Sequence, residues 1–299
     1  MPAKKFEFDG PPLRLDAYLP QVLEGYPRSM CKEMVKNGDV LVNGNPAKPS
    51  CLLVLGDVVE VVASEHKPPS GILKDITIYE DKAMLAISKP AGLLVHPLSP
   101  AWELTPELVF SGEETLVSLL LSAHPNMQRA GIARNGLVHR LDRETSGVML
   151  IAKTATAQKN LVVQFHDRTV SKTYRCVVQG VVKDERGIIS VPIGRVAGGK
   201  LKASAIGREA VTEYRVIERK KTATLVELYP KTGRTNQLRI HMAWLGHPVV
   251  GDRLYKGIEA PRLMLHSRAL EFDHPVTEKR MTIEAPPPAD FLACWKKAK

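Results

Sequence analysis

The sequence predicts an α+β protein in two unlike parts: a small helix-helix-hairpin domain over residues 1–63, a linker over 64–74, and a larger domain over 75–299 built on a mixed, mainly antiparallel sheet. Three observations lead there. Apolar patterning breaks once, at SEHKPPSGILK (64–74), where prolines, a Ser-Gly pair and two lysines interrupt it. Strand-like runs such as AMLAIS, VMLIAK, TYRCVVQG and TLVELYP dominate the larger part, with helical stretches around TLVSLLLSAHP, TAQKNLVVQFHD and TNQLRIHMAWLG. These do not alternate in the regular strand-helix-strand manner of a parallel sheet, so helices beside a mostly antiparallel sheet are expected. A chain of 299 residues, 44% of them apolar, can bury one large core or two smaller ones, which excludes intrinsic disorder.

In the first part, Leu13, Leu15, Tyr18, Leu19 and Val22 recur near helical spacing, and a second helix follows Pro27 and Ser29 with Met30, Met34 and Val35 apolar. VLVNGNPAKPS then sets β-branched residues before an Asn-Gly turn, and LLVLGDVVEVV reads as strand, Gly-Asp turn, strand. Arg28, Lys32 and Lys36 fall four residues apart, so they share one helix face that can track a phosphate backbone. The competing reading is a plain solvated face, and the spacing alone does not choose between them.

Charge and cysteine usage narrow the function classes. The 42 Lys and Arg outnumber the 32 Asp and Glu, a net of +10 that favours a polyanionic partner. Residues 1–62 hold seven basic and eight acidic side chains, so the surplus lies in the larger part. Cys31, Cys51, Cys176 and Cys294 form no CxxC pair, which argues against a disulfide framework or a structural zinc site and fits a reducing cytoplasm. No run of roughly 18 apolar residues is present, so no membrane span is expected.

Several familiar sites are missing from the pattern. GRVAGGK (194–200) matches a phosphate loop as far as the lysine, but Leu201 stands where Ser or Thr would hold magnesium, and the flanks look like a hairpin. No HExxH, GxSxG or GxGxxG occurs, so neither metal nor nucleotide cofactor is expected. Two polar segments leading into apolar runs remain. In NGLVHRLDRETSGVMLIAKT (135–154), Asp142 lies between Arg140 and Arg143 on a loop, with Gly147 easing a tight approach. Such an aspartate is either a structural ion pair or an ionised carboxylate available as a nucleophile. In YPKTGRTNQLRIHMAWLGHPVVGD (229–252), a Thr-Gly-Arg turn precedes a helix in which Leu238, Met242 and Leu245 make the core face while Arg234, Arg239 and His241 supply polar reach. That is either a phosphate or carboxylate site or a capped surface helix.

Taken together these motifs resemble the RluA-type pseudouridine synthases, which isomerise uridine to pseudouridine in RNA. The resemblance rests on HRLDRETSG followed by VMLIAKT, on KTYRCVVQG, and on TGRTNQLRIH with GHPVVGD, supported by YEDKAMLAISKPAGLLVHP, AGIARNGLVHRLD and LMLHSRALEF. Leu13 to Val62, with RLDAYL, PRSMCKEMVKNGDVLVNG and LGDVVEV, is similar to the S4 RNA-binding domain. It implies RNA contacts from Arg28, Lys32 and Lys36 and, in the following turn, from Asn43. Residue by residue, it implies that Asp142 is the nucleophile, Tyr174 the active-site tyrosine and Arg239 the arginine paired with the aspartate. Arg140 would fill the stack vacated by a flipped base, and Arg234 would bind RNA. Asn236 departs from the family, where many relatives carry His, and LSPAWELTPELVFSGEE (98–114) is longer and more acidic than expected. The implied partner is RNA, ribosomal rather than transfer RNA, bound by a cytoplasmic monomer without a cofactor. The alternatives are the same chemistry on transfer RNA, or a non-catalytic RNA-binding or ribosome-assembly protein. Retention of Asp142, Tyr174 and Arg239 together argues against the latter.

Overall fold

The computed structural model describes residues 4–23, 28–62, 72–103, 109, 113–124, 126–129, 132–196 and 198–298. Most of the expected linker, and the middle of the 98–114 stretch, lie outside these residues. The chain divides into two compact units, Met1–Leu73 with Leu94–Asn135, and Lys74–Leu93 with Gly136–Lys299. The stretch 94–135, read from sequence as part of the larger domain, thus groups with the N-terminal residues.

The chain opens with β1 (Lys4–Glu7), β2 (Leu13–Arg14), α1 (Leu15–Val22), α2 (Arg28–Lys36), β3 (Val40–Val42), β4 (Asn45–Pro46), β5 (Leu52–Leu53) and β6 (Val58–Val61). Both helices pack a core in which Leu15, Leu19, Cys31, Val40, Leu53 and Val59 are wholly buried, each large aliphatic contributing roughly 1.5–3 kcal/mol. The Asn-Gly turn forms as expected: Asn43 and Gly44 have φ of 53° and 77°, and Val42 pairs with Asn45 across a two-residue loop. The second expected hairpin does not form. Residues on either side of Gly56 turn back, but β5 pairs with β2, and β6 pairs with β1 and β3, giving the sheet order β1-β6-β3-β4. Burying Leu53 and Val59 in one core is satisfied by these distant partners, which local alternation does not name.

Next come α3 (Ile72–Ile76), β7 (Thr77–Glu80) and β8 (Met84–Lys89), then the excursion carrying α4 (Leu116–Ala123) and α5 (Asn126–Arg129). α4 begins with a capping box, Thr115 and Ser118 each accepting from the other's backbone N–H. The remainder comprises β9 (Ser146–Ala152), α6 (Ala155–His166), β10 (Ser171–Gln179), β11 (Arg186–Ser190), β12 (Ile193–Arg195), β13 (Leu201–Ala203), β14 (Val211–Arg219), β15 (Ala223–Pro230), α7 (Gln237–Trp244), β16 (Leu265–Asp273), β17 (Arg280–Glu284) and α8 (Ala289–Lys297). The GRVAGGK string links β12 to β13 in an antiparallel hairpin, not a phosphate loop.

The large sheet runs β11-β14-β15-β10-β16-β9-β8-β7, with β17 paired to β16. Every pairing in it is antiparallel except β9 with β16, so the fold is mixed and mainly antiparallel. That parallel seam joins His266 to Ser146 and Ser267 to Gly147. Gly147 sits at φ 117°, and a Cβ there would collide with the Ser267 carbonyl, so only glycine allows the strands this close. On β16 the register jumps from the Thr173–Ala269 pair to the Tyr174–Ser267 pair, leaving Arg268 as the extra residue of a bulge beside the seam. α6 packs Ala157 and Leu161 on one side of the seam, while Leu238 and Met242 of α7 and Phe291 and Trp295 of α8 fill the core on the other.

Candidate active site

The seam places four polar side chains around one cavity of about 750 Å³. Arg140 and Asp142 come from the loop before β9, Tyr174 from β10 beside the bulge, and Arg239 from α7, with Arg234 on the turn ahead of that helix. Residues widely separated in sequence are thus brought together as the motifs imply. Arg140 is exposed, Asp142 and Tyr174 are half-buried, and Arg239 is buried.

The Asp142 loop is fixed from below. Lys89, wholly buried, donates to the carbonyls of Pro90, Leu93 and Arg143 at 2.9–3.0 Å, and Gly92 N–H donates to the same Arg143 carbonyl at 2.9 Å. Burial pulls the Lys89 ammonium down to about 7, yet its three acceptors match the three N–H donors of the charged form. Thr145 N–H closes a turn onto the Asp142 carbonyl at 3.1 Å. The Asp142 carboxyl is pushed above its ordinary value, chiefly by burial, while Arg239, Arg140 and Lys89 pull it back. Cationic neighbours alone would have predicted the opposite direction.

Arg239 departs most from expectation. Its guanidinium is committed to Asp252, Nε donating to Oδ2 and Nη2 to Oδ1, both at 2.7 Å, while Nη1 reaches Asn236 Oδ1 at 3.3 Å. Asp252 is wholly buried and its Oδ1 also accepts from the backbone N–H groups of Leu254 and Tyr255. The Tyr255 ring lies 5.4 Å from the guanidinium, and its hydroxyl accepts from Asn236 Nδ2 at 3.2 Å. The ion pair expected with Asp142 is therefore made with Asp252, because the turn after α7 delivers both carboxylate oxygens to the Nε–Nη2 edge of the guanidinium. Arg239 acts on Asp142 through space. Asn236, the departure from the family pattern, occupies a left-handed backbone position (φ 56°) at the start of α7, where Asn is tolerated, and ties Arg239 to Tyr255.

Burial pushes the Tyr174 phenol up to about 12, against a smaller opposing effect of Ser267, so it is neutral at pH 7. Ser146 lies on the seam in a buried network. His266 Nε2 donates to the Ala285 carbonyl at 3.0 Å, so Nδ1 accepts from the Ser146 hydroxyl at 2.9 Å, and burial holds the imidazole down to about 4. His139, stacked on Phe165 with centroids 4.4 Å apart, also lines the cavity and accepts from Leu150 N–H at 2.9 Å, which leaves it neutral. His241 is held by Thr212 and Val191 and serves the core. Arg234 donates to the Glu209 carbonyl at 2.9 Å. The sequence reading missed Asp252, Tyr255, Lys89, Arg168 and Lys172. The first closes the quoted GHPVVGD string, and the third stands in the quoted KPAG string, so the signal was present without an assigned role.

In the small domain the cations do not form an independent face. Asp16, wholly buried, accepts from Arg14 Nε and Nη2 at 3.0 Å and from Arg28 Nη2 at 2.9 Å, with Lys32 Nζ at 3.7 Å. Arg28 and Lys32 thus have a structural partner as well as solvent exposure, and Lys36 is exposed. Asn43 donates to Asp57 at 2.7 Å and accepts from Val58 N–H at 2.8 Å, which commits most of its amide to holding the turn. Among the described residues no group of three or more metal-ligating side chains forms, and no helix is long and apolar enough to cross a membrane. The four cysteines are free thiols.

A carboxylate beside arginines and a phenol, in a cavity rimmed by cations, defines an enzyme that acts on a polyanion by nucleophilic or acid-base chemistry. Residues 83–244 match the family model described as RNA pseudouridylate synthase, and residues 13–59 match the S4 domain. The chain belongs to the RNA pseudouridylate synthase family and is an RNA pseudouridine synthase, which isomerises uridine in RNA. It is 36% identical to the ribosomal large subunit pseudouridine synthase D of Pseudomonas aeruginosa, over 96% of this chain and 92% of that one. It is 40% identical to an uncharacterized RNA pseudouridine synthase of Aquifex aeolicus, over 97% and 95%. Among solved structures, Human RNA Pseudouridylate Synthase Domain Containing 1 aligns with a TM-score of 0.57 at 26% identity, covering 71% of this chain and 83% of that one.

Proposed function

We propose that this enzyme modifies uridine in large-subunit ribosomal RNA, in the cytoplasm, with Asp142 as nucleophile. The observation that carries the assignment of residues is the convergence of Asp142, Tyr174, Arg239 and Arg140 on one cavity. The similarity to synthases named for the large ribosomal subunit supports the RNA class.

The reaction breaks the N1–C1′ bond, rotates the uracil and joins C5 to C1′. Bonds are exchanged, so neither net oxidation nor hydrolysis occurs. A base within folded RNA must first be extruded, at about a few kcal/mol, less where it is already unpaired. Arg140, exposed at the cavity mouth, fills the vacated stack. Asp142, whose ionised form Arg239, Arg140 and Lys89 favour against the effect of burial, attacks uracil C6 or ribose C1′. Tyr174 packs against the base. Being neutral, it takes the C5 proton only while passing its own onward, and Ser267, its partner across the strands, adjoins that path.

Pseudouridine mapping across all RNA from cells with and without this gene tests the reading. Loss of one or more sites in large-subunit ribosomal RNA supports it. Loss confined to transfer RNA moves the substrate, and no lost site, with no tritium released from 5-tritiated RNA, makes the protein a binder.

A further inference from the structure

One wall of the cavity carries cations that neither the reaction nor the fold employs. Arg168, at the end of α6, and Lys172, on β10 two residues before Tyr174, both line the cavity. Neither side chain has a hydrogen-bond or ion-pair partner among the described residues. The acidic residues beside them in chain and sheet have contacts of their own, Asp167 with His166 at 2.8 Å and Glu271, paired across the sheet with Ser171, with Arg280 at 3.0 Å. Two like charges held together, one of them partly buried, are unfavourable unless an anion sits between them.

The backbone beneath Arg168 is built to hold it. α6 ends with Thr169 N–H donating to the Gln164 carbonyl at 3.0 Å around a left-handed Arg168 (φ 62°), the position where glycine is the ordinary choice. The turn is locked from outside: the Gln164 amide bonds the Asp273 backbone twice, at 2.7 and 2.9 Å, and Arg280 reaches the Thr169 carbonyl at 3.3 Å. An arginine kept where glycine is easier, on a rigid turn and facing a cavity, points to a ligand rather than to stability.

We propose that Arg168 and Lys172 form a phosphate-binding subsite that grips one of the two phosphates bracketing the uridine held at Asp142. The reading rests on that cavity receiving the target nucleotide. Arg168 supplies a planar fork and Lys172 a point charge, a pairing suited to a backbone phosphate and blind to base identity. Arg234 lines the same cavity.

The test measures single-turnover tritium release from a 5-tritiated transcript of large-subunit ribosomal RNA across a salt series. Arg168→Gly with Lys172→Gln should flatten log K against log salt by about 1.4–1.8, from about 0.7–0.9 per lost phosphate contact. Arg168→Gly alone should flatten it by about half as much and leave Tm unchanged or raised, since it removes the left-handed strain. A control pair away from the cavity, Lys183→Gln with Lys279→Gln, should leave the slope unchanged. An unchanged slope in the cavity variant, or an equal fall in the control, overturns the proposal. In a stem-loop carrying the modified site, a methylphosphonate at the gripped position should weaken the wild type but not the double variant; no such position on either side also overturns it. A wild type that releases no tritium from any RNA would instead overturn the reading of the cavity.

Discussion

At Asp16 in the small domain a wholly buried carboxylate holds two guanidinium groups and at Asp252 beside the cavity another holds one, yet the cations end in opposite environments. Around Asp16 the side chains of Arg14, Arg28 and Lys32 remain 47, 54 and 44% exposed, whereas Arg239 is 7% exposed against Asp252. The first arrangement fans cations outward from an anchor and keeps them available to a polyanion. The second spends a guanidinium inward and offers only its field to Asp142. Binding tolerates solvent-screened charge, but favouring the ionised form of a half-buried carboxylate against burial takes a cation that solvent does not screen.

The largest expected effect isolates the proposed nucleophile from its supports. Asp142→Asn, nearly isosteric, should lower tritium release by on the order of 10³-fold or more and leave RNA affinity within about threefold, under ~1 kcal/mol. Wild-type turnover in the variant would remove Asp142 from the chemistry.

Asp252→Asn asks whether the inward clamp matters for rate or only for folding. It retains an oxygen for the Leu254 and Tyr255 N–H groups while losing the charge. Loosening Arg239 should cost about 10- to 100-fold in saturating rate. The Asp252 charge raises the Asp142 pKa, so its removal should move the acid limb of kcat/KM to lower pH. A rate loss with an unmoved limb would reduce Asp252 to a turn residue.

Asp16→Asn probes the outward anchor through stability. The hydrogen bond from Arg14 leads the groups that hold the Asp16 carboxyl well below the usual carboxylate range. A depressed aspartate stabilises the fold above its ordinary value of about 4 and loses that contribution as pH falls further. Urea midpoints should therefore show the variant weaker than wild type at pH 7, with the gap closing below about pH 4. A constant gap would mean that packing, not charge, is lost.

The smallest effect concerns the outer cations themselves. Replacing Arg28, Lys32 and Lys36 with Ala should flatten the salt dependence of RNA binding by at most about two to three, with more loss on long RNA than on a short stem-loop and an unchanged saturating rate. Equal loss on both substrates, or none, would leave a solvated surface.

Fold class, the strands at β8, β9, β10 and β15, the helices at α4, α6 and α7, and the Asn43-Gly44 turn were legible because each is written in local periodicity or turn chemistry. The motifs around Asp142, Tyr174 and Arg239 were legible because these residue types stand in an ordered, specific context. Strand pairing in the small domain was not. The run LLVLGDVVEVV contains a turn, but the partners of its strands lie at 4–7, 13–14 and 40–42, and only the shared core selects them.

By itself, then, the sequence determined the family, the order of its parts and which side chains are available for chemistry, since those properties belong to residues and their near neighbours. Tertiary structure decided the rest. It turned Arg239 from Asp142 to Asp252, 13 residues along the chain, and let burial outweigh the arginines at Asp142. It gathered Arg14, Arg28 and Lys32 onto Asp16 and left Arg168 and Lys172 facing a cavity. Coulomb energy and desolvation depend on distance and dielectric, and neither exists for a side chain until the chain has folded around it.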